Sequence, residues 1–199
     1  MSNGAQWVVL SAVGLTAGVA AALVLGGPLE AIVGMMLVTP MLTALVGAVL
    51  GTAQWLPLRA RAPIRASSWI LATTVGLCIG LATGVVLLEQ VGRLLTGTRI
   101  HLLQLDPAGQ VLSLAVLGLV SGSLLGFSQS LVLRRSFPQI AHWTLSSGVA
   151  LSLGFSTAAA LVDSLDSRGI ASASGVIAFL VTSGLLYGAV TAVRLRRAV

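Results

Sequence analysis

Six apolar runs, separated by short polar stretches, set the rhythm of this chain. They lie near 7–26, 31–56, 68–88, 111–133, 142–162 and 173–193. Each approaches or exceeds the ~20 residues a helix needs to cross ~30 Å of hydrocarbon. None alternates apolar and polar residues with the two-residue period of a barrel strand. The pattern predicts an all-α, polytopic membrane protein: one transmembrane domain of six helices over 1–199.

A second pattern runs inside the first. The stretch Gly47–Arg59, GAVLGTAQWLPLR, has the skeleton GxxxGxxQxxxxR. It recurs as Gly122, Gly126, Gln129 and Arg134, and again as Gly184, Gly188, Thr191 and Arg196, with Thr in place of Gln. A partner pattern precedes each copy, a Trp followed by small residues seven and eleven positions later. Its copies are Trp7, Gly14, Gly18; Trp69, Gly76, Gly80; and Trp143, Ala150, Gly154. The chain therefore reads as three tandem two-helix repeats, approximately 1–60, 61–136 and 137–199. Hairpins of one orientation imply a pseudo-threefold axis along the membrane normal, and pack either as a closed ring or as an open row.

The repeated residue types follow from the solvent. In lipid there is little hydrophobic drive between helices, so association rests on close backbone approach and interhelical hydrogen bonds. Spacings of four and seven put Gly47, Gly51 and Gln54 on one helix face, and the same holds for Gly122, Gly126, Gln129 and for Gly184, Gly188, Thr191. Gly14, Gly18, Gly76, Gly80 and Gly154 fall at matching depth on the other helices. All are expected to be helix-packing positions. Trp7, Trp69 and Trp143 are expected to mark the membrane interface, where amphipathic rings anchor.

Gln54 and Gln129 lie inside the arginine boundary, where an amide needs a partner. Two readings stand beside a third, contact with a protein partner. In one, each Gln caps a neighbouring helix or bonds across its hairpin. In the other, Gln54, Gln129 and Thr191 gather around the axis as a polar ring that binds a head group or solute, with Arg59 and Arg134 nearby as phosphate-contacting groups. Hydroxyls of Thr73, Thr74, Ser146 and Ser147 are tolerated in spans because they bond back to their own helix.

The stretches GTAQWLPLR and GFSQSLVLRR, each followed by a Trp that opens the next helix, carry a resemblance. They are similar to GxxQWxxLRR repeats of multi-pass bacterial membrane proteins of the cyanobacterial and green non-sulfur type. The resemblance covers 47–84 and 122–158 best. It brings no activity with it, and no functional residue is carried over.

Composition sharpens this picture. Apolar residues make up 56% of the chain and charged residues 8%, with a mean hydropathy of +1.02; such a chain cannot dress a water-facing surface. A formal charge of +6 argues weakly for nucleic acid, because the basic residues, all arginine, sit at helix ends. Their distribution instead sets orientation. Arg59, Arg61, Arg65, Arg134, Arg135, Arg194, Arg196 and Arg197 fall on one side. Arg93, Arg99 and Arg168 fall on the other, with all five acids. That asymmetry predicts cytoplasmic termini in the inner (plasma) membrane, and the first run is read as a retained helix.

Local features complete the expectations. A turn through Gly26-Gly27-Pro28 should end the first span, with Glu30 opening the second, and Pro40 should kink span two near its middle. The second hairpin carries an additional external segment, 89–110, expected to lie on the membrane surface. Catalysis finds little support. There is no HExxH, no Walker loop, and no second buried carboxylate to pair with Asp163 and Asp166. Cys78 stands alone. His142 and His101 are either solvated or isolated ligands, and a pigment role would rest on His142 alone. The sequence identifies no metal site and no cofactor. The leading expectation is a non-catalytic accessory or scaffold subunit packing against lipid, a larger membrane complex or further copies of itself. The alternative is a small permease or lipid- or solute-binding protein built on Gln54, Gln129 and Thr191.

Overall fold

A computed structural model describes residues 3–60, 63–96, 105–134, 142–166 and 172–198. Its helices are α1 (Asn3–Val33), α2 (Met35–Leu58), α3 (Ala66–Thr96), α4 (Pro107–Leu133), α5 (Trp143–Asp166) and α6 (Ser172–Ala198). Five carry stretches long and apolar enough to cross a membrane; α6 is apolar over the shorter stretch Ile177–Val193. Arg61, Arg99, His101, Arg135 and Arg168 lie outside the described residues.

Each helix packs against its neighbours in the chain, and α6 returns to pack against α1. The six helices thus form a closed ring. Small residues build every seam. Gly14 and Gly18 of α1 lie against Leu50 and Val46 of α2, and Gly47 and Gly51 of α2 against Thr74 and Ile70 of α3. Gly76 and Gly80 of α3 meet Leu125 and Ser121 of α4, while Gly122 and Gly126 of α4 meet Ser147 and Thr144 of α5. Gly154 of α5 faces Ser183 of α6, and Gly184 and Gly188 of α6 face Ala12 and Val8 of α1. Each of these glycine sets receives the backbone of the next helix around the ring, and Gly122 also meets Gly148 of α5. In every seam with two contacts the numbering runs in opposite senses, so neighbours are antiparallel. The start of α1 and the end of α6 therefore lie at the same end of the ring.

Three expectations about the turns are corrected. Helix α1 runs through Gly26, Gly27 and Pro28 to Val33, and the first hairpin turns at Gly34. Gly34 has φ 78, a left-handed conformation that glycine adopts without steric cost. Its N–H closes α1 on the Glu30 carbonyl at 2.9 Å, and its own carbonyl accepts from Val38 N at 3.1 Å to open α2. Glu30 therefore sits near the end of α1 rather than at the start of α2, and it is exposed. Because α2 begins at Met35, Pro40 falls near its start, and the helix continues through it. Pro40 is exposed there, and near a helix start a proline costs less than in mid-helix because fewer backbone bonds precede it.

The segment expected on the membrane surface is divided. Residues 89–96 continue α3, with Arg93 paired to Glu89 one turn earlier at 3.6 Å, and 107–110 open α4. Asp106 caps α4 by accepting from Gly109 N at 3.2 Å, with Pro107 in the first turn. That arrangement leaves fewer orphan amides at the helix start.

Candidate functional site

Three successive levels of side chains occupy the axis of the ring. At the end where α1 starts and α6 stops stand Trp7, Trp69 and Trp143, buried to 1% exposure or less. Trp7 meets the other two edge-on, with ring centroids 6.2 Å from Trp69 and 6.0 Å from Trp143. Leu58, Ile64, Leu133 and Ala192 pack around them. This corrects the expectation that the tryptophans are interface anchors, because they face inward. Helices held by small-residue seams leave an axial space that no backbone fills, and three indoles occupy it.

One helical turn further in, ~6 Å along the axis, lies a polar level. Ser11, Thr73 and Ser147 each follow a Trp by four residues, and Gln54, Gln129 and Thr191 come from the even helices. All six are fully buried. Gln129 is the hub. Its Nε2 donates to Thr73 Oγ1 at 3.1 Å and to Gln54 Oε1 at 3.2 Å. Its Oε1 accepts from Trp143 Nε1 and from the Tyr187 hydroxyl, each at 3.1 Å. Gln54 Nε2 donates to Ser11 Oγ at 3.2 Å. Each Gln thus bonds across its own hairpin, and the two Gln bond to each other.

Thr191 stands in the same level but takes another partner. Its Oγ1 accepts from Trp7 Nε1 at 2.8 Å and donates to the Tyr187 carbonyl at 2.6 Å. Two of the three indoles therefore donate to the Gln-position residue on a neighbouring helix. The third does not. Trp69 Nε1 is buried without a partner, and the Gln54 oxygen in the corresponding place accepts from Gln129.

The third level is apolar. Val46, Leu77, Leu125, Ala150, Leu151 and the ring of Tyr187 form its buried core, with Leu15 and Phe155 against them.

No family model, curated protein or solved structure matches the chain. The functional argument therefore rests on this geometry.

Arg59 and Arg134 do not join the polar level. They form the C-caps of α2 and α4 and are exposed. The Arg59 guanidinium lies 5.5 Å from the centre of the Trp55 ring, and Trp55 Nε1 donates to the Ile64 carbonyl at 3.1 Å, tying the connection to α3 back onto α2. His142 is exposed beside the start of α5. Among the described residues, no group of three His, Cys, Asp or Glu side chains could hold a metal ion.

Sequence reasoning missed Tyr187 and Ser11. A signal for each was present. Ser11 stands four residues after Trp7, as Thr73 and Ser147 stand after their tryptophans. Tyr187, the only Tyr of the chain, occupies the position held by Leu50 and Leu125 in the other copies. Of the hydroxyls expected to bond back to their helices, Thr73 does so through the Trp69 carbonyl at 2.9 Å and also accepts from Gln129, whereas Thr74 Oγ1 and Ser147 Oγ are buried without a hydrogen bond.

Proposed function

We propose that this protein is a non-catalytic integral membrane protein that serves as an accessory or scaffold subunit. It would present the lipid-facing side of its helix ring to a larger membrane complex, to lipid or to further copies of itself. The observation that carries this reading is the closed polar level of the axis and the tryptophans above it. Three tryptophans close one end, and beneath them Gln54 and Gln129 use their amides on each other and on Ser11, Thr73, Trp143 and Tyr187. A solute would have to break bonds that the protein already makes, at a level where each broken bond leaves a buried polar group. The outer surface, by contrast, is rich in exposed large apolar side chains on all six helices, the kind of face that lipid or another membrane helix covers.

The finer organisation belongs to the same proposal. Three repeats, 1–60, 61–136 and 137–199, related by a pseudo-threefold axis, fit the seams. Gly47, Gly122 and Gly184 stand at one pattern position, and each lies against the following odd helix, α1 following α6. The arginine distribution supports cytoplasmic termini in the inner membrane of a bacterium, in keeping with the resemblance of the GTAQWLPLR and GFSQSLVLRR stretches.

Native mass spectrometry of the protein released directly from its own membranes tests the assignment. A stoichiometric companion protein or a defined homo-oligomer is the expected result. A lone monomer, without companion or specific lipid, refutes it. A polar solute held by the wild type and lost in Gln129→Met would instead assign the protein to solute binding.

A further inference from the structure

The apolar level is incompletely filled. A cavity with about 20 Å³ of room for the centre of a water-sized molecule lies between Leu50, Leu77, Leu125, Leu151, Phe155 and Tyr187. We infer that this axial cavity is a binding site for a compact apolar molecule of dioxygen or xenon size, drawn from the hydrocarbon of the membrane.

Chemistry selects the ligand class. The surface the cavity offers is entirely apolar. Two residues with hydroxyls border it, Ser11 and Tyr187; the Ser11 hydroxyl accepts from Gln54 Nε2 and the Tyr187 hydroxyl donates to Gln129 Oε1. A water molecule needs two to four polar partners, so apolar cavities of this kind stay dry. An apolar guest loses no hydrogen bonds and gains dispersion contacts with walls that otherwise face a void. Size selects within the class. Treated as one sphere, the room for a probe centre plus a water's ~1.4 Å radius gives a void of ~3 Å radius, enough for a few heavy atoms and too small for an acyl chain. The origin of the gap is also visible. Tyr187 replaces a leucine at this level, and its hydrogen bond draws the end of the ring toward the polar level, away from the space that Leu50 and Leu125 border.

This inference is independent of the scaffold assignment, since a scaffold can hold or lack such a guest. Xenon is the probe, applied under pressure to crystals of the full chain and located by its anomalous signal. One axial peak is expected in the wild type, stronger than any peak in the lipid-facing grooves. Leu151→Ala, which widens the cavity, should raise axial occupancy roughly twofold or more, and Leu50→Phe should abolish it while leaving surface peaks in place. If Leu50→Phe does not fold, the comparison of Leu151→Ala with the wild type still decides. An axial peak absent from the wild type, even where Leu151→Ala shows one, or no stronger than the surface peaks, overturns the inference. So does ordered water in the cavity before xenon is applied.

Discussion

Replacing Gln129 with methionine isolates the polar level from its surroundings, because Met keeps nearly the same length and volume while removing every hydrogen bond. Gln129 makes four side-chain bonds, to Gln54, Thr73, Trp143 and Tyr187. Gln54 makes two, to Ser11 and Gln129. At ~0.6 kcal/mol per interhelical hydrogen bond within a membrane, Gln129→Met costs about 2.4 kcal/mol and Gln54→Met about 1.2 kcal/mol. Two effects widen the difference. Gln129→Met leaves Trp143 Nε1 and the Tyr187 hydroxyl buried without acceptors, each a penalty of ~1–3 kcal/mol if nothing relaxes. Gln54→Met leaves one Gln129 Nε2–H without its acceptor, against two orphaned donors in Gln129→Met, and it leaves Ser11, whose hydroxyl can turn back to its own helix. Unfolding equilibria in mixed micelles or bicelles measure both variants on the same protein. The double variant adds a second check. The Gln54–Gln129 bond is removed in either single variant, so the pair should cost ~0.6 kcal/mol less than the sum of the two. Equal losses for the two single variants, or strict additivity, would refute the hub arrangement.

Other perturbations separate neighbouring features. Trp69→Phe removes a buried N–H that has no partner, whereas Trp143→Phe removes one that donates to Gln129; the second should cost ~1 kcal/mol more in the same unfolding assay. Gly80→Ala would place a Cβ 2.7 Å from the Ser121 carbonyl oxygen of α4 and should destabilise by ~1–3 kcal/mol. Gly26→Ala, whose Cβ meets only the end of the Leu42 side chain at 3.4 Å, should be neutral or slightly stabilising. Asp106→Ala should loosen the first turn of α4 by ~1 kcal/mol, seen as faster amide exchange at Gly109 and Gln110 with the remaining helices unchanged.

Much of this fold is legible in the sequence because lipid removes the alternatives. Glycines at spacings of four and seven within apolar runs have no role on a lipid-facing surface comparable to the one they have between helices, so Gly47, Gly51, Gly122 and Gly126 mark seams. Ring closure is not legible. The seam of Gly184 and Gly188 reads the same whether it receives α1 of its own chain or of another. The turn at Gly34 escaped because Gly26-Gly27-Pro28 is a stronger turn signal by water-soluble rules, while a membrane helix tolerates all three residues. The misplaced tryptophans are more instructive. Their depth suits an interface, but the spacing of seven from Trp7 to Gly14, and likewise from Trp69 to Gly76, puts each ring on the packing face of its helix. Depth along the helix is the same for an interface ring and an axial one; direction around the helix tells them apart.

Direction around the helix also explains why the third copy departs from the other two at two positions together. Thr191 stands where Gln54 and Gln129 stand, and Tyr187, one turn earlier on the same face, stands where Leu50 and Leu125 stand. A threonine cannot extend an amide across the axis, and the Tyr187 hydroxyl supplies a polar group to that level from one turn below, ending on Gln129 Oε1. The two departures are then one compensated change. Tyr187→Leu alone should cost ~1–3 kcal/mol, through the lost bond and the lost ring volume. Thr191→Gln alone should also destabilise, because Tyr187 already occupies the acceptor nearest the axis and the larger side chain overpacks a fully buried site. Combined, they restore at the third position the Leu and Gln of the other copies. The double variant should therefore lose at least ~1 kcal/mol less than the sum of the single losses, as coupled neighbours do. In the xenon experiment it should also show altered axial occupancy, since Tyr187 borders the cavity. A double variant as costly as the two singles added together would mean that Thr191 and Tyr187 changed independently, and that the polar level does not require a contribution from each copy.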